Sequence, residues 1–172
     1  MRPQLLFFVS IAFSFMAWSM VTARYLWPEL RRRRRAEALQ PLLILNSFRF
    51  IGLAFLIPGV VSPDLPAAFA RPAAYGDLIA AILALFSLLA LPRRAGVVLT
   101  WIFNLWGSAD LLNAIYQANR AGLSPGQLRA LYFIPALLVP LFLILHGLVF
   151  RIVLQGQNEP AITESQRPVQ GA

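Results

Sequence analysis

Five runs of about twenty mostly apolar residues, separated by short connections rich in arginine and proline, constrain this chain more than any other feature. A helix of that length crosses the hydrocarbon core of a bilayer and satisfies its own backbone groups, which lipid cannot do for it. The spacing predicts helices over 5–23, 41–61, 72–91, 95–116 and 131–154. Two of them open on a proline, Pro41 and Pro72, as suits a first helical position. A membrane barrel would instead need alternating segments of about ten residues, and the runs here are continuous. Apolar residues make up 59 % of the 172 and charged residues only 13 %, against about 25 % charged in a soluble domain. The expected fold class is therefore all-α, a polytopic membrane helical bundle of five transmembrane helices with the lipid bilayer as a partner. Residues 155–172 are polar and lack an apolar period, and they are expected to form a disordered cytoplasmic tail.

The connections set an orientation. Arg31 to Arg35 form a block between the first two spans, Arg93 and Arg94 lie between the third and fourth, and Arg151 and Arg167 lie at and beyond the end of the fifth. The other side carries the scattered Arg2, Arg71, Arg120 and Arg129. The excess of positive charge on cytoplasmic loops then places the N-terminus outside and the C-terminus inside. The start of the chain, Met1-Arg2-Pro3 and an apolar run ending Val21-Thr22-Ala23, also resembles a secretory signal. Cleavage there would leave the arginine block on the outer face, against the charge rule, so the segment is expected to stay as a span.

Net charge and rare residues exclude several chemistries. The chain carries a formal charge of +8, and its 15 basic residues are all arginine. They cluster between apolar runs rather than on a soluble surface, so no nucleic acid is expected as a partner. With 0 cysteines there is no thiolate, disulfide or iron–sulfur chemistry. The absence of lysine rules out a Schiff base. A single histidine, His146, rules out a multi-histidine metal site within one chain, and neither a metal nor another cofactor is expected. No nucleotide-binding loop or nucleophile elbow is present.

Ionisable groups inside spans are costly, so each requires an explanation. The second span holds Asn46 and Arg49, three apart and on one face. The third holds Asp77, after Tyr75 and Gly76. The fourth holds Thr100, Asn104, Gly107, Ser108 and Asp110, which at ~100° per residue share an arc of roughly 160°. The fifth holds His146, after Pro135 and Pro140. Counting ~1.5 Å per residue puts Asp77 and Asp110 both about 8 Å below the outer boundary, with Arg49 deeper and reaching towards them. Arg49, Asp77 and Asp110 are thus expected to form an intramembrane charge cluster, extended inward by Asn46, Asn104 and His146. Two carboxylates at one depth can share a proton, and a histidine can join a relay. Plainer roles compete. Arg49 and Asp110 would tie helices together, or Arg49 would snorkel to the inner headgroups. Asp77 would cap the start of its helix, and Asn104, Ser108 and Asn113 would serve as interhelical glue.

The strings Phe48-Arg49-Phe50-Ile51-Gly52-Leu53, Pro58-Gly59-Val60-Val61-Ser62-Pro63, Ala74-Tyr75-Gly76-Asp77 and Phe103-Asn104-Leu105-Trp106-Gly107-Ser108-Ala109-Asp110-Leu111-Leu112 resemble a group of small, uncharacterised bacterial multi-pass inner-membrane proteins. The resemblance covers most of the spans and implies a bacterial inner (plasma) membrane, with no activity attached. The short segment from Tyr132 to Leu143 also resembles the last helix of the sterol-isomerase-like four-helix membrane family, from which the five-span count departs.

Three function classes fit these residues. One is small-molecule or proton-coupled binding or transport through the cluster, which in so short a chain calls for a homo-oligomer. Another is an intramembrane enzyme doing acid–base chemistry on a small lipophilic molecule, with Asp77, Asp110 or His146 as acid and base. The third is an accessory or assembly subunit whose polar residues serve packing. A cavity open to one aqueous side would favour transport, a cavity open sideways to lipid the enzyme, and no cavity the accessory role.

Overall fold

The computed structural model describes residues 3–93 and 95–155. Within them the chain is all-helical, with no strand and one isolated bridge between Pro58 and Val61. Five helices are long and apolar enough to cross a membrane: α1 Pro3–Leu30, α2 Arg35–Leu56, α3 Ala67–Ala90, α4 Ala95–Arg120 and α5 Ile134–Gln155. The expected disordered tail lies outside the described residues, apart from Gln155, which closes α5.

The helices start earlier than the prolines imply. α2 begins at Arg35 rather than Pro41, and α3 at Ala67 rather than Pro72, so each proline sits in the second turn. A proline there removes one backbone donor, and its carbonyl partner lies near a helix end where polar surroundings can serve it. α1 likewise runs past Ala23 to Leu30, and α4 runs past Tyr116 to Arg120. α2 stops at Leu56, before Val61, because Pro58 and Gly59 follow, and Gly59 takes φ 86°, which an L side chain rarely adopts.

α3 is the pivot of the packing. Its buried positions are Phe69, Ala70, Ala73, Ala74, Gly76, Ala80, Ala81, Ala84 and Ser87, nearly all small. Small residues let helix backbones approach closely where lipid supplies no hydrophobic drive between helices. α2 and α4 pack along this face, and α5 closes the group against α2 and α4. α1 stands outside this four-helix core. Its first part, Pro3–Val21, buries no residue. It leans on α5 and on the segment just before it, where the Trp18 indole N–H donates to Leu137 O at 3.2 Å and Ser10 Oγ lies 2.9 Å from the Tyr132 hydroxyl.

Three stretches depart from α geometry. Phe48–Leu56 of α2 is a 3-10 helix, in which side chains three apart eclipse. Arg49, Gly52 and Phe55 are its buried residues, and this straight row faces α3. Nine residues of 3-10 helix rise about 18 Å instead of about 14 Å, so the outer half of α2 is drawn out. Ile134–Leu138 forms a π turn that carries Pro135 and precedes Pro140, two residues that interrupt the ordinary hydrogen-bond ladder. A second π turn, Thr22–Leu26, bends α1.

The bundle has two ends of different chemistry. Arg151 lies over the Trp27 ring at 3.9 Å, so the end of α5 joins the Arg31 to Arg35 connection. At the other end Ser62 N–H donates to Gln127 O and the Gln127 amide donates to Asp64 O, tying the α2–α3 and α4–α5 connections together.

Candidate functional site

Arg49 occupies the centre of the four-helix core and is 1 % exposed. A guanidinium has five N–H donors in a fixed fork, and here each of its three nitrogens is hydrogen-bonded. Nε–H donates to Asp77 Oδ1 on α3 at 2.8 Å. Nη2 lies 2.7 Å from the same oxygen and 2.6 Å from Asp110 Oδ2 on α4. Nη1 donates to the Gly107 carbonyl at 3.0 Å and lies 3.3 Å from His146 Nε2 on α5. Below it the Phe142 ring lies 5.8 Å from the guanidinium carbon. One side chain from α2 thereby binds α3, α4 and α5 at once.

His146 carries the network one step further. Its Nδ1 lies 2.7 Å from Asn104 Oδ1, while the Asn104 amide donates back to the His146 carbonyl at 3.2 Å. That reciprocal pair fixes the amide with its oxygen towards the ring, so Nδ1 carries the hydrogen and Nε2 accepts from Arg49. Phe103, fully buried next to Asn104 in α4, lies against the imidazole at 5.2 Å between centroids.

Three glycines make the approach possible. A Cβ placed at Gly52 would overlap the Asp77 carboxylate, and one at Gly76 would overlap the Asp110 carboxylate. A Cβ at Gly107 would fall 2.5 Å from His146 Cε1, 2.7 Å from Nε2 and 2.9 Å from Arg49 Nη1. Each ionised or imidazole group therefore rests on bare backbone of a neighbouring helix. Glycine is present at these positions for close approach, since all three lie in helices at ordinary φ.

The network is charged asymmetrically. Two carboxylates face one guanidinium, and an apolar interior favours a set that sums to zero. The neutral set holds one extra proton or one extra cation. A groove of about 340 Å³ reaches Asp110 between α3 and α4, lined by Pro72, Gly76, Ile79, Trp106, Ala109 and Asn113. Ile79 and Trp106 are exposed, so the groove opens on the flank of the bundle between α3 and α4.

The expected cluster is brought together for Arg49, Asp77, Asp110, Asn104 and His146, and not for Asn46. The Asn46 amide donates to Leu42 O of its own helix, its Oδ1 has no partner, and it touches none of the ionised groups. Arg49, at the start of the 3-10 stretch, reaches both aspartates with its side chain. It is sealed in the core and does not snorkel. Asp77 is no helix cap, since α3 begins ten residues earlier at Ala67. On α4, Thr100 is satisfied by Gly96 O and Ser108 Oγ has no partner, so the polar arc is only partly used. Gly52 and Gly76 as seats for carboxylates, and Phe142 beneath the guanidinium, went unread in the sequence. Their one visible trace is that Gly76 directly precedes Asp77 and Gly52 lies three residues after Arg49. Among the described residues no group of three or more His, Cys, Asp or Glu is placed to hold a metal.

No curated protein and no solved structure matches the chain. One family description matches it over residues 6–154, nearly the whole of the five-helix unit. The chain thus belongs to the family described as a domain of unknown function, DUF8737.

Proposed function

We propose that the chain is a multi-pass protein of a bacterial inner membrane, N-terminus outside and C-terminus inside, in which the Arg49–Asp77–Asp110–His146 network exchanges a proton in the course of small-molecule or proton-coupled binding. The observation that carries this reading is that every Arg49 guanidinium nitrogen is engaged by a set holding one carboxylate too many. A network built for packing alone would be neutral with one carboxylate. The second costs desolvation and earns its place by holding a proton that can leave. The orientation is supported by the basic end, which gathers Arg31 to Arg35, Arg93 and Arg151. The test is infrared difference spectroscopy of the purified protein across a pH titration. A carboxylic acid C=O band that appears and disappears with pH, and that Asp110→Asn or Asp77→Asn removes, is the expected result. A band-free spectrum at every pH sinks the reading and leaves an accessory, packing role.

The flank opening of the groove favours a second reading, an intramembrane enzyme that uses Asp110 as acid and base on a lipophilic substrate. Incubating the protein with membrane lipids in deuterated water separates the two. Deuterium carried into a lipid by the protein and not by Asp110→Asn identifies the enzyme, and its absence leaves the binding role.

A further inference from the structure

Asp110 offers one oxygen to the network and one to the groove. Arg49 Nη2 holds Oδ2. The other oxygen, Oδ1, lies over the α-carbon of Gly76, a residue of the groove wall, and no described residue donates a hydrogen bond to it. Asp77 Oδ2, over Gly52, is likewise without a described donor, but of the two aspartates only Asp110 lines the groove, so the groove meets the surplus negative charge at Asp110. Trp106 precedes Asp110 by four residues, on the same helix face, and both line the groove. An indole face attracts a cation, most strongly where water is excluded. Of the remaining walls, Pro72, Ile79 and Ala109 are apolar and Asn113 is polar and uncharged.

We infer that this groove is a binding site for a small apolar cation, an alkyl- or arylammonium whose nitrogen lies between Asp110 Oδ1 and the Trp106 ring. The inference deepens the proton-exchange reading and rests on it. Charge complementarity selects the occupant. An anion meets a surplus carboxylate, and a phosphate-bearing zwitterion brings back the charge its ammonium neutralises. An uncharged molecule gains only the apolar walls. A volume of about 340 Å³ stands at the small end of ligand sites, which suits an amine of one ring or short chain and not a two-chain lipid. The cation takes over the neutralising role of the proton, so one proton leaves the network for each cation that enters.

The experiment uses the full chain in uncharged maltoside micelles. Three probes are titrated: benzyltrimethylammonium, its carbon isostere neopentylbenzene, and the anion phenylacetate. Thermal unfolding and proton release into weak buffer are read together. The expected result is saturable stabilisation by the ammonium alone, with about one proton released per site. Asp110→Asn weakens the response about 10- to 100-fold, as expected for loss of a charge-assisted contact. Ala109→Phe, at an exposed position outside the ionic network, fills the groove and removes the response while the fold is kept. It guards against a misfolded Asp110→Asn. Equal stabilisation by the isostere overturns the inference, as does an ammonium response that survives Ala109→Phe. Ammonium binding without proton release overturns the proton-exchange reading and leaves the cation site standing. A pH-dependent infrared band without ammonium binding does the reverse.

Discussion

Substituting Gly107 by alanine adds one methyl group at the centre of the network, and the structure specifies what it meets. The new Cβ falls 2.5 Å and 2.7 Å from two atoms of the His146 ring and 2.9 Å from Arg49 Nη1. Neither neighbour can swing away cheaply. His146 is 2 % exposed and bonded at both nitrogens, and Arg49 is bonded at every guanidinium nitrogen. Ordinary contact requires the ring to retreat by about 1 Å, which strains the packing by about 1–3 kcal/mol. The retreat also breaks a charge-assisted bond between the guanidinium and α4 or α5, at about 1.5–3 kcal/mol. Alanine returns about 1 kcal/mol of helix propensity, so the net loss is roughly 1.5–5 kcal/mol. Gly147 provides the control on α5. It is exposed, has no atom within 4 Å of a built Cβ, and Gly147→Ala is expected to stabilise by about 0.5–1 kcal/mol. Equilibrium unfolding in mixed micelles measures both. In a His146→Ala background the two nearest atoms are gone, and the Gly107→Ala penalty should fall to about half or less. If Gly107→Ala behaves like Gly147→Ala, or if its penalty is unchanged without the imidazole, the glycine is not the seat of the network and the packing argument fails.

Other substitutions and fusions probe separate links. Arg49→Leu leaves two buried carboxylates without their partner and should destabilise by about 3–5 kcal/mol in the same unfolding assay; Arg49→Lys should rescue less than half, because one ammonium cannot reach acceptors on three helices. Asn104→Leu strips the partner from His146 Nδ1 and from the His146 carbonyl, and a loss of about 1–3 kcal/mol is expected, together with a shifted imidazole NMR signal. The orientation predicts that green fluorescent protein fused after residue 155 fluoresces and that alkaline phosphatase inserted in the Asp64 loop is active. The opposite pattern refutes the charge-rule assignment.

Much of this architecture was legible in the sequence. Runs of apolar residues long enough to cross a bilayer can be little else than helices, because an unpaired backbone is prohibitive in lipid, and five such helices are present. Arg49, Asp77 and Asp110 announced themselves because ionised groups in apolar runs need partners, and spacing along a helix gave Asp77 and Asp110 similar depths. Helix ends were misplaced at Pro41 and Pro72, where proline signalled a first turn and tertiary packing allowed an earlier start. The 3-10 geometry of Phe48–Leu56 had no local cue, since its residues fit an α-helix equally well, and only the small-residue face of α3 draws it out. Asn46 shares a helix face with Arg49 yet stays outside the network, because partnership depends on what the neighbouring helix presents. Sequence alone thus determined that the chain has a charged interior and which helices carry it. Tertiary structure decided the rest: which groups touch, that Gly52, Gly76 and Gly107 admit them, and that Asp110 lines a groove. Those outcomes depend on side-chain distances between helices far apart in the chain, and no periodicity along one helix encodes them.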